Sequence, residues 1–118
     1  MTTTYQKIFL SASTSGKPIN ITATTSGSPT TLHTAHASNI DELWLKVFNT
    51  GLTTQQLTLC LGGTAAHEQL TVSIPGNFIG EVPVLMGQPF SQGVVVSAFA
   101  STTSVLSVMG FVNRIVVI

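Results

Sequence analysis

Short segments in which apolar and polar residues alternate recur along the whole chain. In residues 19–24, for example, Ile19, Ile21 and Ala23 would point to one side of an extended chain, and the residues between them are polar. Side chains alternate in this way in a half-buried β-strand, whereas an amphipathic helix needs apolar residues three and four positions apart. No segment shows sustained helical periodicity. The pattern therefore favours a chain built from strands.

Turn residues such as glycine, proline and asparagine separate these segments. Ten candidate strands result, at residues 7–12, 19–24, 30–35, 43–49, 55–63, 68–75, 78–86, 93–101, 104–110 and 111–118. Short strands at regular spacing without helices between them are typical of antiparallel sandwiches and barrels. We predict an all-β fold, a single-domain antiparallel β-sandwich of jelly-roll kind with about 8–10 short strands.

Particular segments refine this prediction. Residues 11–35, rich in serine and threonine, are predicted to form two strands with hydroxyl-coated outer faces and not a linker. Pro83 is predicted to place its strand at a sheet edge or a bulge, because proline cannot donate to a central ladder. Gly110 is predicted to form a bulge between the last two strands. The single domain spans residues 1–118, with residues 1–5 as a flexible N-terminal arm or plain disorder.

Charged residues are unusually few. Four Lys or Arg and four Asp or Glu make up 7% of the chain, and the formal net charge is zero. An average soluble domain has about 25% charged residues. The four basic residues are scattered and provide no phosphate-binding stripe, so no nucleic-acid partner is expected. Because interfaces are depleted of charge, this composition favours a protein whose surface contacts other protein.

The chain lacks signals for export or membrane insertion. No basic segment followed by a long apolar run starts the sequence, and no apolar run approaches about 18 residues. Cys60 is the only cysteine, so no intrachain disulfide is expected. We expect synthesis in a reducing cytoplasm and no membrane partner.

Candidate catalytic residues are sparse. Asp41 and Glu42 are neighbours, so on a strand they face opposite sides, and we expect them to be solvated where a strand begins. Cys60 lies within a predicted strand, with its side chain directed outward, and is expected to be an inert thiol. The sequence thus predicts no enzyme and no catalytic residue.

Histidines are the only further candidates for a metal site. The spacing of His33 and His36 would turn them to opposite faces of a strand, and His67 is distant in sequence. Zinc sites need three or four ligands in a defined geometry. We predict polar histidines at a strand–loop junction, without metal or cofactor.

The segment LWLKVFN (residues 43–49) is the best candidate for an interaction surface. Its odd-numbered positions form an apolar core face, so Trp44, Lys46 and Phe48 share the opposite face. These aromatics either cover a layer within the chain or anchor a partner, since aromatics are enriched in interface hot spots. With Tyr5, the only tyrosine, they form the predicted interface with another subunit or with a partner protein.

Several motifs occur together in an order that resembles a known family. They are SGKPINITAT, TTLHTA, IDELWLKVFNTG, LTLCLGGT, SIP, VVVSAFAS and VLSVMGFVNRI, and they run from about residue 11 to residue 115. In this order and spacing the chain resembles small virion proteins of tailed bacteriophages and prophages, of the head decoration or cement type.

The resemblance implies a β-rich structural protein without catalytic residues. It implies a homo-oligomer, for which we expect a trimer, that binds the major capsid protein on the outside of the head. Its location would be the virion, after synthesis in the host cytoplasm. Two alternatives stay open, a tail or head–tail connector component and a carbohydrate-binding module that uses the Trp44 face for host attachment. Fold alone does not choose among these functions.

Overall fold

Nine β-strands and one short 3₁₀ helix form in the computed structural model, which describes residues 2–77 and 80–117. The 3₁₀ helix spans Ala66–Glu68. The strands are β1 (Thr3–Ile8), β2 (Ile19–Asn20), β3 (Thr30–Thr34), β4 (Ile40–Asn49), β5 (Gln55–Leu61), β6 (Gln69–Ile74), β7 (Glu81–Phe90), β8 (Val95–Ala100) and β9 (Leu106–Val117). Within these residues no helix has the length and apolarity that crossing a bilayer requires.

The strands form two antiparallel sheets. The first sheet has the order β1-β9-β4-β7, and β2 pairs with β9 on the same side as β1. The second sheet has the order β3-β8-β5-β6. Since β1 and β2 share one position, each sheet has four positions. From β2 onward, successive strands pass between the sheets except at the β5–β6 hairpin. This is the strand order of a jelly roll, and the predicted all-β sandwich is confirmed.

The core lies between the two sheets and consists almost entirely of aliphatic side chains. The alternation of apolar and polar residues along each strand supplies these side chains, because every second residue of a strand points inward. Its largest fully buried members are Leu10, Ile21, Leu32, Leu43, Leu45, Leu57, Leu59, Ile74, Leu106, Val47 and Val96. The segment 11–35 contributes two of these residues and is part of the sandwich, as predicted. Of its two predicted strands, the one at 30–35 forms as β3, whereas the one at 19–24 is reduced to the two residues of β2.

The N-terminal end of the chain differs from the prediction. Thr3, Thr4 and Tyr5 pair with the end of β9, so these residues form a strand and not a free arm. Residues 9–12, predicted to be strand, form a connection in which Leu10 is buried. Met1, Phe78, Ile79 and Ile118 lie outside the described residues, which includes the start of the strand predicted at 78–86.

Gly110 lies within one continuous strand, so the bulge predicted there is wrong. β9 pairs with β4 without a register shift from Leu106 to Ile115, and Gly110 lies opposite Leu45. A Cβ atom at this position would overlap the carbonyl oxygen of Trp44. Glycine is required because the backbones of two adjacent strands approach closely, which is a common reason for glycine inside a strand.

The edge strand β7 contains two irregularities, as Pro83 led us to expect. Its pairing with β4 shifts between Leu43 and Trp44 and again between Leu45 and Lys46. The first shift leaves Gly87 as the extra residue, with a φ of 87°. Bulges and prolines at a sheet edge interrupt the ladder that another strand would extend.

Candidate functional site

The four residues predicted to form an interface lie on the outer face of the first sheet. Trp44, Lys46 and Phe48 alternate along β4 with buried core residues. Tyr5 joins them because it pairs with Ile115, which has the same orientation in β9 as the residues opposite Trp44 and Phe48. The predicted orientation of Trp44, Lys46 and Phe48 is therefore confirmed, whereas no orientation was predicted for Tyr5. Their role in binding stays a prediction.

Trp44 stacks on Phe111 at the centre of this face. The two residues are directly opposite in β4 and β9, and their ring centroids lie 5.9 Å apart with an interplanar angle of 7°. The indole also lies against Gly87, where a Cβ atom would come within 2.9 Å of its Cζ2 atom. Trp44 is nevertheless 39% exposed. The indole thus covers the edge of its own sheet and still presents a surface to a partner.

Three further large apolar side chains extend this exposed surface. Tyr5 is 67% exposed, Phe9 59% and Met86 74%. Met86 is opposite Trp44 in β7, and the two line a groove of about 190 Å³. Phe9 and Phe111 line a second groove on the β1 side. Exposed apolar side chains scattered singly need no explanation, but a contiguous group marks an interaction site.

We call this surface the aromatic face. It comprises Tyr5, Lys7, Phe9, Ile40, Glu42, Trp44, Lys46, Phe48, Glu81, Met86, Met109, Phe111, Asn113 and Ile115. Four of the eight Asp, Glu, Lys and Arg residues of the chain lie on it. Lys46 pairs with Glu81 at 3.0 Å. Among the described residues, the exposed aromatic side chains of this nearly uncharged protein, Tyr5, Phe9 and Trp44, therefore lie on one face together with half of its charged residues.

Sequence reasoning missed Phe9, Met86 and Phe111. Alternation predicts a strand around Phe111 but no partner for its ring, since the contact with Trp44 depends on a pairing between residues far apart in sequence. Met86 belongs to a predicted strand, but the second register shift of β7, which leaves Val84 as an extra residue, turns Met86 to the outer face, and alternation from Val82 does not predict this. Phe9 falls within the strand predicted at residues 7–12, whereas in the structure it follows the end of β1 and is exposed.

A second cluster, around Asp41, is buried between the sheets. Both Asp41 oxygens accept hydrogen bonds from Arg114, from Nε to Oδ1 at 2.8 Å and from the terminal NH2 to Oδ2 at 3.0 Å. Oδ2 also accepts from the His33 ring at 2.7 Å and from the His36 amide at 3.2 Å. The expectation that Asp41 is solvated is wrong, because β4 begins at Ile40 and turns Asp41 inward. Glu42 faces the other way, as predicted, and accepts a hydrogen bond from Asn113.

His33 reaches this cluster through a bulge in β3. The pairing with β8 shifts between Thr31 and His33, so that Leu32 and His33 are both buried although they are adjacent. The backbone N–H of Ser11 donates to His33 Nδ1 at 2.9 Å. Since that nitrogen accepts, the ring proton is on Nε2, which donates to Asp41. All polar positions of the ring are thus occupied within the protein.

Opposing effects act on the pKa of Asp41. Burial alone would raise it, but hydrogen bonds from Arg114, His33 and the His36 amide, together with the charge of Arg114, outweigh burial and lower it below its ordinary value. The hydrogen bond to Asp41 raises the pKa of Arg114 despite partial burial. The carboxylate is therefore charged, and the cluster connects β3 of the second sheet to β4 and β9 of the first.

The side chains of His36 and His67 lie outside the Asp41 cluster. His36 Nδ1 accepts hydrogen bonds from the amides of Ser38 and Asn39, each at 3.0 Å, and so stabilises the turn between β3 and β4. His67 is exposed in the 3₁₀ helix. Among residues 2–77 and 80–117, no three His, Cys, Asp or Glu side chains are arranged to hold a metal ion.

Cys60 lies in the middle of β5 and is buried, although it faces away from the core leucines. Its neighbour across the ladder is Ser97 of β8. Burial raises the pKa of the thiol, and the hydrogen bond with Ser97 offsets only part of this effect. A thiol with a raised pKa contains little of the nucleophilic thiolate.

The comparisons with known proteins add no relative. No protein-family model, no curated protein and no solved structure matches the chain. Any function proposed for the chain therefore rests on the geometry of the sandwich and of the aromatic face, together with the motif resemblance.

Proposed function

We propose that the chain is a non-enzymatic structural protein of a bacteriophage particle, a decoration protein that binds the outside of the capsid. One observation carries the proposal. On a surface with very little charge, the exposed aromatic residues and half of the charged residues gather on one face of a rigid sheet. Aromatic anchors surrounded by a few charged groups are typical of protein–protein interfaces. The motif resemblance supplies the virion context.

The mode of action follows from mass action. A protein that binds the assembled lattice but not dissociated capsid subunits stabilises the assembled state. If several copies are joined, weak individual contacts add to durable attachment. The stiff sandwich holds Trp44 and Phe111 in place before binding, so that little side-chain entropy is lost when the face is covered.

Imaging of the phage that encodes the chain tests this proposal. We expect density for the sandwich on the outer surface of the head, and the chain among the proteins of purified particles. Density confined to the tail or to the head–tail connector, or rings of six or twelve copies in solution, would favour the connector alternative instead. Purified particles that lack the chain would refute both.

One specific observation supports a carbohydrate-binding function as the alternative. Next to Trp44 on the aromatic face, Asn113 donates to Glu42 at 3.1 Å, and aromatic rings beside amides and carboxylates are typical of sugar sites. Against this function, Phe111 stacks on Trp44 and covers ring surface that a sugar would use. A glycan array with the wild type and Trp44→Ala decides, since the absence of binding by both proteins excludes this function.

A further inference from the structure

We propose that the aromatic face binds the same face of a second copy of this chain, related by a two-fold axis that runs parallel to β9. The inference rests on the role of this face as a protein interface but not on the virion assignment. It commits to another copy of the chain as the occupant of the face, in place of a capsid subunit, and to a dimer in place of the trimer that the motif resemblance led us to expect. The capsid would then contact other surfaces of the pair.

Strand register arranges the aromatic face in rows across the sheet. Lys7 of β1 pairs with Asn113 of β9, and Asn113 pairs with Glu42 of β4. The three side chains therefore form one row, with the positive and the negative group on either side of β9. Rotation by 180° about an axis along β9 exchanges the two sides. Lys7 of one copy then faces Glu42 of the other, and the reverse contact forms at the same time.

The neighbouring rows are self-complementary about the same axis. In one row Trp44 lies opposite Phe111 of β9, and Phe9, which follows the end of β1, lines a groove with Phe111 on the other side. Rotation therefore brings Phe9 of one copy toward Trp44 of the other and Phe111 onto its own equivalent. In the row on the other side, Ile115 separates Tyr5 from Ile40. Charged contacts are thus enclosed by apolar ones, as in the centre of a stable interface.

The charges in the central row lack compensation within the chain. Among the described residues neither Lys7 nor Glu42 has an ionic partner: the Lys7 ammonium lies 4.8 Å from the centroid of Phe111, and Glu42 accepts from the neutral amide of Asn113. Lys46, by contrast, already pairs with Glu81. A second copy supplies both missing partners at once, which favours this occupant over an uncharged surface.

The size of the overlap indicates a weak pair. Rotation about β9 places β1 of each copy over β4 of the other, so three of the four strands overlap and β7 extends beyond the partner. Three strands about 4.8 Å apart, with about 3.4 Å per residue along β9, give an overlap on the order of 500 Å². A standard protein interface buries about 800 Å² on each partner, so we expect a weak dimer. Because each sheet twists, the rows of two copies diverge away from the axis. The close contacts are therefore expected in the two central rows, those of Asn113 and Phe111.

Analytical ultracentrifugation over about 5 to about 200 µM tests the pair, since dimers form by mass action. We expect a dimer for the wild type. Lys7→Glu and Glu42→Lys alone should each raise the dimer dissociation constant about tenfold or more, because each places like charges together twice. The double variant, Lys7→Glu with Glu42→Lys, should restore the dissociation constant to within about threefold of the wild type, because the charges are exchanged and not lost.

Glu68→Lys provides the matched control for Glu42→Lys. It makes the same change of charge, but beside the second sheet, and should leave the dimer intact. Thermal unfolding of each variant shows whether it is folded. A monomer throughout the range, a trimer, or a double variant as weak as the single ones would overturn the inference. If no dimer forms, the virion role is still tested by imaging of the particles. If a dimer forms but the chain is absent from the particles, only the virion role is refuted.

Discussion

Asp41 and Arg114 lie directly opposite each other in β4 and β9 and form a two-pronged ion pair, with distances of 2.8 and 3.0 Å. Asp41 is fully buried and Arg114 is partly exposed at the end of the sandwich. Through His33 and Ser11, this pair also connects the second sheet and the loop that follows β1. The few charges of the chain are therefore used in two distinct ways, inside as a structural cluster and outside on the aromatic face.

Replacement of Asp41 by Asn should destabilise the protein by about 3 kcal/mol, because removal of one member of a buried ion pair leaves its partners without compensation. Four donors, two from Arg114 and one each from His33 and the His36 amide, would lose their anionic acceptor. Urea unfolding gives the free energy of unfolding. Glu42→Gln is the matched control on the opposite side of the strand and should cost less than about 1 kcal/mol. Equal losses in the two variants would contradict this account.

Acid should weaken the fold through Asp41. Its pKa is lower in the folded protein than its ordinary value of 3.8, so the stability it contributes is fully present above that value and is lost as the pH falls through the lowered pKa. Unfolding measured from about pH 6 to about pH 2 should show less pH dependence in Asp41→Asn than in the wild type. Glu42→Gln should keep the wild-type dependence. Parallel curves for all three proteins would exclude Asp41 as the group responsible.

Gly110→Ala should destabilise the sandwich by about 3 kcal/mol or prevent folding, because the new methyl group overlaps the Trp44 carbonyl and forces β4 and β9 apart. Gly27→Ala is the control, since the nearest atom to its added Cβ is 4.0 Å away, and it should change stability by less than about 0.5 kcal/mol. The soluble yield and the urea midpoint measure both effects. A Gly110→Ala protein as stable as Gly27→Ala would show that the strands can separate without cost.

Cys60 should react slowly with thiol reagents in the folded protein, because it is buried and its pKa is raised. We expect a rate about 100-fold or more below that of the unfolded chain. In a Cys60→Ala background, Ser73→Cys places a thiol at an exposed position of the adjacent strand β6 and serves as the comparison. Rapid modification of Cys60 without denaturant would mean that the second sheet opens readily.

Much of the fold follows from local patterns in the sequence. Alternation identified the strands that contain the core leucines, and it oriented Trp44, Lys46 and Phe48 correctly. Pro83 indicated the edge strand, because a missing backbone donor has the same consequence in any fold. Each of these inferences depends on residues only a few positions apart.

Inference from alternation failed where the backbone is irregular. The bulge at Leu32 turns His33 inward, against the alternation of β3, and the bulge at Val84 turns Met86 outward, against the alternation of β7. A bulge adds one residue to one strand, so it shifts every later side chain to the other face. At Gly110 the error was the reverse: a bulge was predicted, whereas the strand is regular and the glycine permits close contact between β4 and β9.

The sequence by itself determined that the chain forms strands, which side chains of each strand are apolar, and that charge is scarce. Only the tertiary structure decided which strands are neighbours, and with them the pairing of Asp41 with Arg114 across 73 positions and the stacking of Trp44 on Phe111. The physical reason is that alternation is a property of one strand, whereas register arises from the packing of all strands around a common core. The rows of the aromatic face, and the partner proposed for them, depend on that register.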